Sequence, residues 1–228
     1  MANSATEEVA IVLVGAGGFG REVLGYVSDA IKSLPQLRVK GFLDDNADAL
    51  KPFRCDYPVL GRIDDYPIQP EDRFVMTIGD PSTRAKIIKQ MEARGARFIS
   101  IIHPSAYVAP SATVGHGCIV APFASIGSEA KVGHHVVLTW YSSLAHDSVA
   151  RPFVVLSPYS TANGGAVLEE GAFLGTHAVV NPMIRVGSWS KVASGSVVYR
   201  HVPPHCLAMG NPAKARPLMR TNAEGQGE

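Results

Sequence analysis

His146 and Asp147 place an imidazole beside a carboxylate, and no other histidine of the eight is followed directly by an acidic residue. A neighbouring carboxylate raises the basicity of an imidazole and stabilises the imidazolium that forms when the ring accepts a proton. The pair is therefore a candidate general base. From the residues alone, two ordinary surface side chains in a turn remain an alternative.

A second set of candidate residues surrounds a glycine-rich turn near the start of the sequence. The apolar run 9–14 predicts a buried strand, residues 15–20 read Gly-Ala-Gly-Gly-Phe-Gly, and a helix is predicted from Arg21 to about Lys32. Bare backbone N–H groups at the start of a helix can hold an anionic group. The motif alone is weak, because many such matches are only tight turns.

Asp44 and Asp45 end the second predicted strand, 24 and 25 residues after Gly20. Carboxylates at such a strand end can accept hydrogen bonds from a ribose or a base. The alternative is a solvated turn followed by a helix cap. A third predicted strand ends at Gly79, so residues 1–100 are predicted to form a βαβ-type domain with a parallel sheet. This domain is too short for a complete dinucleotide fold, and one nucleotide-sized group fits it better than NAD.

Composition excludes several classes of function. The 228 residues carry a net charge of +1, so no global field attracts the chain to nucleic acid or to a membrane. No apolar run of 18 residues is present to span a bilayer, and Met1–Glu8 does not read as a signal peptide. The three cysteines are far apart and lack metal-ligand spacing. We expect a reduced, cytoplasmic protein.

The second half of the sequence is dominated by a six-residue period. Every sixth residue is apolar over seventeen steps, and the residue four positions after each is mostly small. This period fits neither a single amphipathic helix nor an alternating strand, and it is typical of a solenoid of short parallel strands. We expect the apolar residue to fill the interior and the small residue to allow the chain to turn. The seventeen apolar residues are Ile102, Val108, Val114, Val120, Ile126, Val132, Leu138, Leu144, Ala150, Leu156, Ala162, Leu168, Leu174, Val180, Val186, Val192 and Val198.

The repeat resembles that of the hexapeptide-repeat acyltransferases, which implies a left-handed parallel β-helix with three six-residue sides per coil and between five and six turns. Together with the glycine-rich domain, the whole chain resembles bacterial nucleotide-sugar acetyltransferases, including UDP-4-amino-sugar and perosamine N-acetyltransferases and sialic acid O-acetyltransferase-like proteins. The predicted domains are 1–100, 101–200 and a closing loop with tail at 201–228. The motifs that carry the resemblance are Gly15-Ala-Gly-Gly-Phe-Gly20, Phe42-Leu-Asp-Asp45, Ile78-Gly79, Ile102-His-Pro-Ser-Ala106, Ala145-His-Asp147, Phe173-Leu-Gly175 and Gly210-Asn-Pro-Ala-Lys214.

The resemblance implies a homotrimer that transfers an acetyl group from acetyl-CoA to an amino group of a nucleotide-linked sugar, without a metal. His146 is then the base, and Asp147 tunes its pKa. Since 146 plus 18 is 164, Gly164 stacks one coil above His146, where its backbone N–H can serve an oxyanion. The sugar nucleotide is expected at Gly17, Gly18, Phe19, Asp44, Asp45 and Gly79, and acetyl-CoA at Val155, Gly164, Thr176 and Ser194.

The sequence departs from this pattern at three places. Phe19 stands where the family often has histidine, Thr139-Trp140 where it usually has Asn-Thr, and Val155 where some members have a histidine. The loss of the asparagine puts an amino-sugar acceptor in question, so O-acetylation of a sugar or sialic acid is the alternative. Tyr141, Tyr159 and His177 should stack at 18-residue intervals, as trimer packing or as a substrate wall.

Two functions of other classes are alternatives to acetyl transfer. One is a non-catalytic β-helix scaffold or carrier. The other is a metal-dependent hydratase that uses the column of His116 and His134. The sequence favours solvated corner residues at that column, because no carboxylate or cysteine completes a set of metal ligands.

Overall fold

The N-terminal domain is a four-stranded parallel sheet in the order β3-β2-β1-β4, covered by two helices. The computed structural model describes residues 9–34 and 36–218. Ile11 and Leu13 of β1 pack with α1, while Val12 and Val14 pack with α2, so the helices cover opposite faces of the sheet. The elements are β1 (Val9–Val14), α1 (Gly18–Ala30) with a 3-10 turn (Ile31–Ser33), β2 (Leu37–Leu43), β3 (Val59–Gly61), β4 (Asp72–Met76) and α2 (Pro81–Ala93).

The second domain is a parallel β-helix of two-residue strands that form three flat faces. Each strand pairs with the strands 18 residues before and after it, as Val137 does with Ile119 and Val155. The first face contains β5 (Ile101–Ile102), β8 (Ile119–Val120), β11 (Val137–Leu138), β14 (Val155–Leu156), β17 (Phe173–Leu174) and β20 (Lys191–Val192). The second contains β6 (Tyr107–Val108), β9 (Ser125–Ile126), β12 (Ser143–Leu144), β15 (Thr161–Ala162), β18 (Val179–Val180) and β21 (Val197–Val198). The third contains β7 (Thr113–Val114), β10 (Lys131–Val132), β13 (Val149–Ala150), β16 (Val167–Leu168) and β19 (Arg185–Val186). The predicted short parallel-sheet domain and β-helix are both confirmed.

The six-residue ladder forms the interior of this β-helix. From Val120 to Val198 every ladder residue is buried, whereas Ile102, in the first coil, is 39% exposed because no coil precedes it. Burying one Val, Leu or Ile side chain stabilises a fold by about 1.5–3 kcal/mol, so the ladder supplies most of the driving force for winding this domain.

The small residues do not occupy the tightest point of each turn. Cys118, Ala130 and Ser142 are fully buried, so these residues fill the interior beside each corner. The turn is made one position earlier, where residues such as Tyr141 and Asp147 take left-handed conformations with φ near +55° to +58°. The backbone N–H of that residue donates to the coil before it, as Asp147 N does to Ser128 O at 2.9 Å. This bonding between coils holds a conformation that non-glycine residues otherwise avoid.

Three columns of turns, here called corners, join the three faces. The first corner joins the first face to the second, the second corner joins the second face to the third, and the third corner leads back to the first face. In the middle coil these corners are residues 139–142, 145–148 and 151–154.

The N-terminal domain packs on the first face and on the two corners beside it. The outward residues Ile119 and Val137 of that face belong to the same core cluster as Val27 of α1. At the first corner, Glu22 accepts a hydrogen bond from Trp140 Nε1. At the third corner, Arg84 of α2 donates to His135 O at 3.0 Å. The second corner is left on the opposite side of the β-helix.

The chain after the β-helix differs from the predicted closing loop. Cys206–Gly210 (β22) and Ala213–Pro217 (β23) form an antiparallel hairpin, and β22 extends the first face by pairing with β20. Buried Cys206 and Ala208 continue the interior pattern, which explains why this segment pairs with the sheet. Residues 1–8 and 219–228, which include the predicted tail, lie outside the described residues.

Within residues 9–34 and 36–218, no helix has both the length and the apolar character needed to cross a membrane.

Candidate active site

A cleft at the glycine-rich turn brings together all six residues predicted to bind the sugar nucleotide. It has a volume of about 450 Å³ and lies where β1, β2 and β4 end. Parallel strands bring their carboxyl ends to one edge of the sheet, which is where ligands bind in open α/β sheets. The predicted residues that line this cleft are Gly17, Gly18, Phe19, Asp44, Asp45 and Gly79.

The four glycines of the turn divide into two that the fold requires and two that it does not. Gly15 has φ of +109°, and a Cβ on Gly20 would lie 2.0 Å from Gly15 O. A Cβ on Gly17 would meet no atom within 4 Å, and one on Gly18 would meet only Arg21 at 3.9 Å. Gly17 and Gly18 therefore present bare backbone to the open cleft.

The start of α1 adds a favourable environment for an anion. Gly17 is the N-cap residue, no side chain caps the helix, and the first turn contains no acidic residue. The first N–H groups of a helix lack partners within it and carry a partial positive charge. The cleft can therefore bind an anionic group such as a phosphate at this point.

The two predicted carboxylates have different surroundings. Asp44 accepts hydrogen bonds from Ala16 N at 2.8 Å and from Asn46 N at 2.9 Å, so it shapes the glycine-rich turn. The Asp45 side chain is 62% exposed, and its closest backbone donor, Ile63 N, is 3.4 Å away. Asp45 is therefore the more available of the two to a ligand.

A second cavity of about 370 Å³ adjoins the cleft, since Phe19 and Gly79 line both. Its floor is the outer side of the first face, where Val137, Val155 and Phe173 lie in successive coils. Val155, predicted to contact acetyl-CoA, is only 6% exposed and lies within this cavity. Here it faces the N-terminal domain of its own chain.

Charged residues of α2 form the wall of this cavity. Arg84 is fully buried and donates to the backbone oxygens of Met76 and Ile78, and burial lowers the pKa of its guanidinium to about 10. Burial works to raise the pKa of Asp80, but hydrogen bonds from Ser82 and Thr83 outweigh it and lower the pKa to about 2. Both groups are therefore charged at neutral pH.

Arg84 is not among the site residues predicted above, although its position in the sequence indicates that it is buried. It lies on the same helix face as buried Ala85, Ile88 and Met91. An arginine on the apolar side of a helix has to find polar partners, because an unpaired buried charge is costly.

His146 and Asp147 lie at the second corner. His146 Nδ1 is 2.7 Å from Asp147 Oδ2, and both side chains are largely exposed. A carboxylate accepts hydrogen bonds, so Nδ1–H donates to it and Nε2 carries the lone pair. The pair is arranged to accept a proton at Nε2.

The structure brings Gly164 and His146 together. Gly165 N donates to His146 O at 3.0 Å, which stacks the two coils, and a Cβ on Gly164 would lie 2.6 Å from both Cε1 and Nε2 of the imidazole. Among the described residues, the Gly164 N–H donates no hydrogen bond. The corner therefore combines a base with a neighbouring unpaired N–H donor.

Gly164→Ala is expected to lower kcat by about 10²-fold, because the new methyl group displaces the imidazole and a shift of about 1 Å can have that effect. Gly164 does not have a positive φ, so alanine fits its backbone and the melting temperature should change little. Gly25→Ala is the control, since Gly25 lies in α1 without a positive φ and its Cβ would meet no atom within 4 Å. Equal steady-state kcat for the two variants would contradict a role for this contact.

Thr176 and Ser194, also predicted to contact acetyl-CoA, lie at the first corner. They are exposed and occupy equivalent positions in successive coils. Within one chain they are not close to His146 and Gly164, which lie at the second corner. The predicted acetyl-CoA residues are thus distributed over the first face, the first corner and the second corner.

The first corner also has a column of stacked aromatic rings. Tyr141, Tyr159 and His177 stack as their spacing predicts, with centroid distances of 5.0 and 4.8 Å. Phe123 extends the column at 5.1 Å from Tyr141, and the same 18-residue spacing could have identified it. Phe123, Tyr141 and Tyr159 are each about half exposed, at 52%, 45% and 48%. These rings form an apolar strip on the outside of the β-helix.

The fold defines a hexapeptide-repeat β-helix protein with a short N-terminal parallel-sheet domain. Residues 10–91 match the family described as the PglD N-terminal domain. Over 112 residues the chain is 30% identical to UDP-N-acetylbacillosamine N-acetyltransferase of Bacillus subtilis (strain 168), covering 48% of this chain and 50% of that protein. The chain matches only part of the curated relatives to which it is similar, from 21% to 50% of their length.

Solved structures extend the likeness to nearly the whole chain. The acetyltransferase domain of PglB from Neisseria gonorrhoeae FA1090, in complex with acetyl coenzyme A, has a TM-score of 0.82 and 25% identity, covering 92% of this chain and 100% of that one. PerB from Caulobacter crescentus, in complex with CoA and GDP-perosamine, has a TM-score of 0.78 and 29% identity, covering 91% of this chain and 97% of that one. The resemblance to sugar acetyltransferases predicted from the sequence is confirmed.

Proposed function

We propose that this protein transfers the acetyl group of acetyl-CoA to an amino group of a nucleotide-linked sugar. The observation that carries the proposal is the pairing of His146 with Asp147 and Gly164 on a β-helix whose N-terminal domain presents an anion-binding cleft. The solved relatives with acetyl-CoA, or with CoA and GDP-perosamine, support both substrates.

The proposed reaction is a direct transfer. His146 Nε2 accepts a proton from the sugar amine as the amine nitrogen attacks the thioester carbonyl carbon. The Gly164 N–H donates to the oxyanion of the tetrahedral intermediate. The intermediate then collapses and the carbon–sulfur bond breaks. The CoA sulfur takes up the proton from His146, and CoA leaves as the thiol. No cysteine or serine nucleophile is required, since the amine itself forms the new bond.

The active site is proposed to need a second copy of the chain. The cleft and the cavity that joins it to the first face lie on one side of the β-helix, whereas His146 lies at the second corner, on the far side. In a cyclic trimer, the second corner of one subunit can face the cleft of the next. Exposed apolar residues of the β-helix, including the aromatic column at the first corner and Met183 (73% exposed) at the second, are suitable for such an interface.

This arrangement also accounts for the scattered acetyl-CoA residues. Gly164 of one subunit and Thr176 and Ser194 of a neighbour can line one groove between two β-helices. Val155 then borders the acceptor cavity instead of the acetyl-CoA groove. The free cysteines Cys55, Cys118 and Cys206 are consistent with a reducing, cytoplasmic location.

The direct test is release of free thiol from acetyl-CoA in the presence of a panel of nucleotide sugars. We expect release with UDP-, GDP- or dTDP-linked amino sugars and none with the matching sugars that carry only hydroxyl groups. Mass spectrometry of the product should show a gain of one acetyl group. Release with hydroxyl acceptors alone would replace N-acetylation by O-acetylation. No release with any acceptor would contradict an acetyltransferase.

A further inference from the structure

The third corner meets α2 at a cluster of three side chains that the proposed acetyl transfer does not use. Glu92 lies in the last turn of α2, and His116 and His135 lie in successive coils of the β-helix. Glu92 Oε1 is 3.2 Å from His135 Nε2 and 3.7 Å from His116 Nε2. Three potential ligand atoms, two imidazole nitrogens and one carboxylate oxygen, therefore converge between the two domains.

These separations suit one small cation. The three potential ligand atoms all lie within 4.8 Å of one another. Zinc bonds of about 2.0–2.2 Å to nitrogen and oxygen require ligand atoms about 3.3–3.6 Å apart in a tetrahedron. The two distances to Glu92 are each within about 0.1 Å of this range.

Packing holds the buried ligand of the cluster in place. The His135 ring stacks on Phe153 at 5.5 Å and meets the edge of Phe98 at 5.4 Å, and the residue is 3% exposed. Arg84 binds the His135 carbonyl, and Ile88 and Met91 anchor the helix that carries Glu92. The cluster is therefore built by contacts that do not depend on a ligand.

We propose that Glu92, His116 and His135 bind one divalent transition-metal ion, with Zn²⁺ as the best match to two imidazoles and a carboxylate. The ion would join α2 of the N-terminal domain to the third corner of the β-helix. A fourth position remains for water. The sequence alone does not predict this site, because the carboxylate comes from a helix of the other domain.

The surroundings indicate the strength of binding. His135 Nδ1 is buried without a hydrogen-bond partner, beside Gly117. Metal-bound histidines usually donate their second N–H to an acceptor, and losing that bond weakens binding by about 10–100-fold. We therefore expect Zn²⁺ to bind more weakly here than at a site whose histidines all donate their second N–H to an acceptor.

The proposal is tested with the full chain, made without a histidine tag and freed of metal with a chelator. Titration with Zn²⁺ should show one equivalent bound, and excess Zn²⁺ should raise the melting temperature by about 5 °C. Co²⁺ should give the visible absorption of a site with nitrogen and oxygen ligands. Glu92→Gln, which keeps the size of the side chain, and His116→Ala should each weaken binding at least 10-fold.

His201→Ala is the matched control, because His201 is exposed and remote from Glu92 in the fold, and it should bind like the wild type. Absence of stoichiometric binding by the wild type would overturn the proposal. Binding that neither Glu92→Gln nor His116→Ala weakens would place the ion elsewhere and overturn it as well. Because the readouts are metal binding and thermal stability, they do not depend on acetyltransferase activity.

Discussion

Replacing His146 by alanine is expected to lower kcat by about 10²–10⁴-fold, the range that a general base contributes. The imidazole is largely exposed and packs mainly over Gly164, so its removal should leave the fold and the melting temperature unchanged. Dissociation constants for acetyl-CoA and for the nucleotide sugar should also change little. Steady-state rates with saturating substrates, together with binding titrations, measure each quantity.

His134→Ala is the matched control for that experiment, because His134 is exposed and occupies the same position in its six-residue step. It should retain near-normal kcat. Asp147→Asn is a second informative variant, since asparagine tolerates the φ of +58° at this position and can donate to Nδ1. It would favour the tautomer with a proton on Nε2, so kcat should fall while binding persists. Normal turnover by His146→Ala would remove this residue from the role of base.

The β-helix could be predicted in detail because its repeat fixes the pairing. Once a coil has 18 residues, the partners of Val137 follow as Ile119 and Val155, and the structure has these pairs. The same arithmetic predicted the column that contains Tyr141 and Tyr159. Short-range rules were sufficient here, because every coil contacts mainly its neighbours.

The packing of the N-terminal domain on the β-helix could not be predicted from the repeat. It depends on surfaces distant in sequence, and it determines which residues meet Arg84 and Glu92. One signal was present. From Ile101 to Phe173 the residue before each ladder position of the first face is apolar, whereas Lys131 and Arg185 hold this position in two of the five coils of the third face. An apolar outer face requires a cover, and the N-terminal domain provides it.

If the site is assembled from two subunits, variants that damage its two halves should complement each other. Gly17→Asp is designed to disable the cleft. An aspartate at the N-cap would accept hydrogen bonds from the free N–H groups of α1 and would place a negative charge where the anion is expected to bind. No atom lies within 4 Å of the new Cβ, so the fold should be unaffected. The variant should lose most of its activity at low nucleotide-sugar concentration, and Gly17→Ala, which adds no charge, should keep far more.

His146→Ala and Gly17→Asp should each be nearly inactive alone and should complement each other when the two chains are co-expressed. In a cyclic trimer, every mixed ring contains one interface that joins an intact His146 to an intact cleft. With random mixing, three quarters of the trimers are mixed and one site in three works in each, so activity should recover to roughly a quarter of the wild-type value.

Purified variants combined without subunit exchange should show no recovery, which controls for leakage between the two preparations. Differently tagged chains allow the mixed trimers to be isolated, and sedimentation measures their mass. Isolated mixed trimers with no activity would mean that each chain needs its own His146 and its own cleft. That outcome conflicts with the geometry, because the β-helix separates these two regions within a single chain.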